Sequence, residues 1–329
     1  MPWKYLKVTA EEMNGLADAA LLAAVAMGSV LGASALAHAS WPRRSPAAAI
    51  LLWQAFGLAG GLAAVGTLVS LGLPGNHLGV TGSLLHLGAV FPSTAFRFPV
   101  AFGVVSALPI MLLVFRLTCL AAGLALLASL CWVLIAASAV ALHARRRQRA
   151  LLALLAHGDP KVPGALVVDY PTAAAYCLPG LRSIVVLSVG TLELLGRGEL
   201  AAVLAHERAH LRERHDLVLL PFTALRRAFP RSLMCAEAHR AVALLVEMLA
   251  DDRALRGRPT RELVSALVRF GTAGTCPAPV GALAAGEGDM AARVTRLLQP
   301  VRPLPAAANM AVCLTAGLLV AATLGLLIV

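Results

Sequence analysis

The stretch AVLAHERAHLRERHD, Ala202 to Asp216, ends an apolar run with two histidines four residues apart and a glutamate beside the first. Residues at that spacing on a helix lie on one face, one turn apart, so the imidazoles of His206 and His210 can converge on a single ion. Glu207 can reach a water on that ion without itself ligating it. This is the H-E-x-x-H arrangement, whose ion is zinc. The competing reading is a solvated helix face; Leu204, Ala205, Ala209 and Leu211 around the three polar residues weigh against it.

Working outward, ALVVD (165–169) and SIVVLSV (183–189) read as short strands, rich in β-branched residues and flanked by Gly or Pro. A short helical turn at TLELLG precedes a helix from about Glu199 to Arg214. The next long helix, about Ser232 to Leu255, contains VEMLADD, where Glu247 and Asp251 are again four apart and share a face. A catalytic zinc takes three protein ligands and keeps one open position. Two crossing helices could supply His206, His210 and Glu247, with Asp251 fixing the tautomer of a ligand histidine. The alternative pairs Glu247 and Asp251 with nearby arginines, Arg240 and Arg253. His215, His239, His143 and His157 read as surface or capping residues, and His38, His77 and His86 receive no role. The six cysteines show no metal or redox spacing and read as reduced thiols.

Of 329 residues, 59% are hydrophobic and only 14% charged, well under the roughly 25% of soluble domains. No charge occurs from Ala19 to Pro42, Ser45 to Phe96, Leu117 to Leu142 or Pro303 to Val329. Each stretch can supply the roughly 20 apolar residues that a helical span needs. The expected fold is a mainly α membrane protein: spans at about 19–42, 47–73 and 117–142, an α+β zincin-like domain over 143–306, and a last span over 307–329. A cleaved leader does not fit the first run, which exceeds the usual apolar core and follows Glu11, Glu12 and Asp18. Pro109 and Arg116 interrupt the apolar residues before the third span, so the part preceding Leu117 reads as a separate lipid-facing or external helix.

Arg43 and Arg44 follow the first span and HARRRQR (143–149) the third, and positive loops favour the cytoplasm. Both termini then lie outside, the loop at about 74–98 is external, and the polar domain is cytoplasmic at the cell membrane. The net charge of +11 does not imply nucleic acid, because neither aromatic interleaving nor a recognition motif accompanies it. An anionic leaflet of the lipid bilayer is the expected partner of this charge. A transporter is disfavoured, Arg116 being the lone candidate for an intramembrane charge.

The segment AYCLPGLRSIVVLSVGTLELLGRGELAAVLAHERAHLRERHD, followed by VEMLADD, resembles the integral-membrane gluzincin zinc metallopeptidases. It is most similar to the BlaR/MecR receptor-peptidase type, without the penicillin-binding sensor domain, and more distantly to HtpX-type and prenyl-protein membrane proteases. The resemblance implies His206, His210 and Glu247 as ligands of one Zn2+ per chain, Glu207 as the catalytic base and Asp251 as the aspartate behind the ligands. It implies a zinc endopeptidase acting on protein or peptide substrates at the cytoplasmic membrane face, in regulated signalling. The substrate would be a cytoplasmic transcriptional repressor or a membrane protein. The strand containing Ile184, Val185, Val186, Leu187 and Ser188 is the expected edge for an extended substrate. The competing function is a signal-transducing membrane protein whose zinc domain is a structural or binding module and whose loop GNHLGVTGSLLHLGAVFPST detects a ligand.

Overall fold

A computed structural model describes residues 3–73, 107–160, 162–180, 183–273, 287–299 and 302–328. The chain divides into two compact units, one made of residues 1–36, 51–132 and 310–329, the other of 37–50 and 133–309. The loop read as external, 74–98, lies outside the described residues.

The first unit is built from apolar helices: α1 (Trp3–His38), α2 (Pro46–Gly72), the first half of α3 (Ala107–Leu155) and α10 (Ala306–Ile328). Among the described residues, four helices are long and apolar enough to cross a membrane: Gly15–His38, Pro46–Gly72, Ile110–Leu155 and Ala306–Ile328. At 1.5 Å per residue, α2 measures about 40 Å against a hydrocarbon core of about 30 Å. Val65, Val69 and Leu73 pack against Leu120, Leu126, Leu130 and Leu327. Small residues allow α2 and α3 to meet closely: a Cβ on Gly72 would lie 2.7 Å from the Leu120 backbone nitrogen.

The third apolar segment differs from its reading in sequence. Helix α3 begins at Ala107 and continues unbroken through Arg116 and the arginine run to Leu155. Pro109 falls in its first turn, where a missing N–H costs nothing. Arginine is a good helix former and no Gly or Pro follows the run until Gly158, so the helix passes through HARRRQR without a break. The first apolar helix also ends earlier than expected, at His38; Trp41–Arg44 forms a 3-10 turn.

The second unit contains a four-stranded sheet: β1 (Ala156–Gly158), β2 (Ala165–Val168), β3 (Ala175–Leu178) and β4 (Ile184–Ser188), ordered β1-β2-β4-β3. Strands β2 and β4 are parallel; β1 on β2 and β3 on β4 are antiparallel. Period-two alternation gives the sheet two faces. Val167, Val185 and Leu187 pack with Leu204 on one face. Val186 and Leu178 pack with Leu152 of α3 on the other.

Helices α4 (Val189–Leu194), α5 (Arg197–Arg212), α6 (His215–Ala228), α7 (Leu233–Ala254), α8 (Thr260–Ala273) and α9 (Glu287–Leu298) complete the unit. The start of α5 is fixed by Glu199, which accepts a hydrogen bond from the Gly196 N–H at 2.8 Å. Ser232 caps α7 by accepting from the Cys235 N–H.

Candidate metal centre

Helices α5 and α7 pack against each other, and each brings one polar pair to the contact. His206, Glu207 and His210 are buried on α5; Glu247 and Asp251 are buried on α7. His206 Nε2 lies 3.1 Å from His210 Nε2. Glu247 Oε2 is 3.3 Å from His206 Nε2, and its Oε1 is 3.5 Å from His210 Nε2. Atoms bonded to a tetrahedral zinc at about 2.0–2.2 Å stand about 3.3–3.6 Å from one another. The three side chains therefore already have nearly the mutual spacing that one ion imposes, and they form a group that could hold a metal.

The surrounding charges point the same way. Glu207, Glu247 and Asp251 are buried carboxylates, and one buried guanidinium, that of Arg293, faces them. Arg293 Nη1 lies 2.9 Å from Glu247 Oε2, and its Nε and Nη2 donate to Asp251 at 2.8 and 2.6 Å. Glu247 and Asp251 share the one guanidinium of Arg293, and a divalent cation held by His206, His210 and Glu247 would offset the carboxylate charge that this guanidinium does not.

Asp251 Oδ1 lies 3.0 Å from His206 Nδ1, at ion-pair distance but off the hydrogen-bonding line. Burial would lower the His206 pKa, yet the Asp251 and Glu247 carboxylates outweigh it and raise the group to about 9. Burial dominates at His210 and lowers it to about 3. The Glu207 carboxyl is raised, chiefly by burial. Glu247 and Asp251 are held well below the usual carboxylate range despite burial: His210, Arg293 and His206 act on the first, Arg293 and His206 on the second. Glu207 Oε2 is buried with no hydrogen-bond partner among the described residues, as expected of an acceptor reserved for something the protein does not itself supply.

Three features depart from the reading of the sequence. His215, read as surface or capping, is 1% exposed and sets its Nδ1 3.0 Å from His210 Nδ1. The cause is Arg214, whose φ of +50° reverses the chain between α5 and α6 and folds His215 back onto α5. Asp216, beside it, is held by Arg145 of α3 at 3.1 Å and by Arg214 at 3.2 Å. The second feature is Arg293 itself: Glu247 and Asp251 do pair with an arginine, but with this one, while Arg253 pairs with Glu213 and leaves them alone. Arg293 is one of two arginines in DMAARVTRLL, 42 residues beyond Asp251, and nothing local distinguishes it.

The third concerns the strand Ile184–Ser188. As β4 it lies between β2 and β3 with both edges paired, so it offers no edge to a substrate. Ser188 is also committed: its Oγ accepts from the Thr191 and Ala174 N–H groups and caps α4. The outer strand beside α5 is β3, where Ala175 and Cys177 pair with Leu187 and Val185 and share their face. The Cys177 thiol is buried and pushed up by that burial and by Glu207.

No curated relative and no solved structure matches the chain. Residues 136–249, which include His206, Glu207, His210 and Glu247 but neither Asp251 nor Arg293, match the model of peptidase family M48, and with the four apolar helices this supports a zincin-type membrane metallopeptidase.

Proposed function

We propose that the chain is a membrane-embedded, zinc-dependent endopeptidase that cuts protein substrates at the cytoplasmic face of the cell membrane. One observation carries the reading: His206, His210 and Glu247 meet at the spacing of a tetrahedral ion's ligands, with Glu207 next to them in sequence and one acceptor oxygen unpartnered. Zinc held by His206, His210 and Glu247 would supply Lewis acidity toward a scissile carbonyl and a water molecule. Glu207 would take the proton of the attacking water and pass it to the departing amine. Its burial suits both steps, because a raised carboxyl pKa brings the proton affinity toward the operating pH. Asp251 and His215 orient the two imidazoles from behind, through His206 Nδ1 and His210 Nδ1. The outer strand β3 supports an extended substrate by strand addition, in place of β4.

The sidedness rests on charge. Arg43 and Arg44 follow α1 and the run 145–149 follows the charge-free part of α3, which favours a cytoplasmic zinc domain and external termini. A cytoplasmic transcriptional repressor in regulated signalling and a membrane protein are the two substrate classes this placement serves. Comparing the proteomes of cells carrying wild-type protein and Glu207→Gln separates them by where the accumulating protein resides.

Metal analysis tests the centre. Protein purified without chelator is expected to carry one zinc per chain, and His206→Ala, His210→Ala and Glu247→Ala are each expected to lose it. Wild-type protein with no zinc, or a His206→Ala/His210→Ala double variant that keeps it, would sink the assignment. A milder effect is expected at His215→Ala, which leaves all three ligands in place but frees the His210 ring. Its zinc should exchange to a chelator with affinity weakened on the order of tenfold, the lower end for groups that orient ligands. Unchanged affinity would make His215 a packing residue only.

A further inference from the structure

We infer that a groove on the sheet face turned away from α5 binds an acidic phospholipid. The groove, ≈ 930 Å3, lies between the last turns of α3 and strands β2 and β3. That volume is within the range of small-ligand sites, roughly 300–1,000 Å3. On α3 its wall follows one ridge, with Ala139, His143, Arg147, Leu151 and Leu155 recurring every fourth residue; Val168 and Tyr176 form the opposite wall. The groove is mostly apolar and uncovered: Val140 is 50%, Leu151 48% and Leu155 63% exposed. Contiguous exposed apolar surface of this kind marks a binding site.

Charge and position identify the occupant. Ala139 and Val140 still belong to the charge-free run that ends at Leu142, so the groove opens where the apolar span stops. Among the neighbouring arginines, Arg145 is held by Asp216 and Arg149 donates to the Pro179 carbonyl. Arg147 instead lines the groove and has no acidic partner among the described residues. The Gln148 Oε1, also at the groove, is buried with no hydrogen-bond partner among the described residues. A cation and an unsatisfied acceptor set between apolar walls at the end of a span match one kind of molecule: an anionic headgroup that carries acyl chains, its phosphate facing Arg147 and a headgroup hydroxyl donating to Gln148 Oε1. The assignment rests on α3 being a membrane span and is independent of proteolysis.

The full chain is reconstituted in nanodiscs of equal dioleoyl phosphatidylglycerol and dioleoyl phosphatidylcholine, released, and examined by native mass spectrometry. Retained phosphatidylglycerol is expected to exceed phosphatidylcholine by about fivefold, equivalent to the ~1 kcal/mol of one arginine at an anionic surface. Arg147→Gln is expected to bring the two lipids level, and Ala144→Trp, which fills the groove, to reduce retention of both. Equal retention by the wild type, or a preference that Arg147→Gln leaves intact, overturns the site. Alkaline extraction of membranes reports the span separately: every variant is expected to stay in the pellet, and release of the wild type would remove the premise.

Discussion

Glu207→Gln is expected to abolish proteolysis while leaving zinc and fold in place. A positioned general base contributes typically 10²–10⁴-fold, so the turnover of any cleaved substrate should fall by about 10³. The change is close to isosteric, and burial already disfavours the charged form of Glu207, so its replacement by a neutral amide removes little that holds the domain together. Zinc content, melting temperature and membrane insertion should therefore match the wild type. That combination is diagnostic. A variant that loses its zinc has been damaged at the ligands, and one that keeps both zinc and full activity assigns the proton transfer elsewhere. A wild-type protein that holds zinc but is as inert as Glu207→Gln against peptide libraries and native membrane proteins would favour a binding module over an enzyme.

How much of this could be read from the chain follows from which contacts are local. The pairs His206/His210 and Glu247/Asp251 are each set by helical period within one element, and the structure brings the two pairs together across the α5–α7 contact. The apolar helices were legible for the same reason: a charge-free run and a length suffice. Arg293 and His215 were not legible, because one arrives from a distant helix and the other depends on a single left-handed residue at Arg214.

The placement of β4 is a different case, since the signal was present. Ile184-Val185-Val186-Leu187 is a continuous apolar run without alternation, the pattern of a strand buried on both faces, whereas an exposed edge usually carries charge or polar interruption. Helix α3 likewise outran its reading because the arginines end the charge-free run without ending the helix.

Arg293→Met is expected to destabilise the zinc domain severely. Arg293 is 3% exposed and its guanidinium is the positive group shared by Glu247 and Asp251. Removing one partner of a buried ion pair typically costs about 3–5 kcal/mol, because the remaining charge stays buried and uncompensated. For a domain of this size that lowers the melting temperature by roughly 10 °C. The pH dependence carries the sign. In the wild type Asp251 is depressed, so its contribution is present above its unfolded pKa and is lost as pH falls through the lower folded value. In the variant burial is opposed only by the His206 side, the folded pKa rises, and the penalty is relieved as pH falls. The gap in stability between the two proteins should thus be widest near neutrality and close toward acid. Arg293→Met combined with Asp251→Leu should recover part of the loss, since it removes the orphaned Asp251 charge and leaves Glu247 to the imidazoles of His206 and His210. A gap independent of pH, or a double variant no more stable than Arg293→Met, would mean that Arg293 acts by filling space and not by its charge.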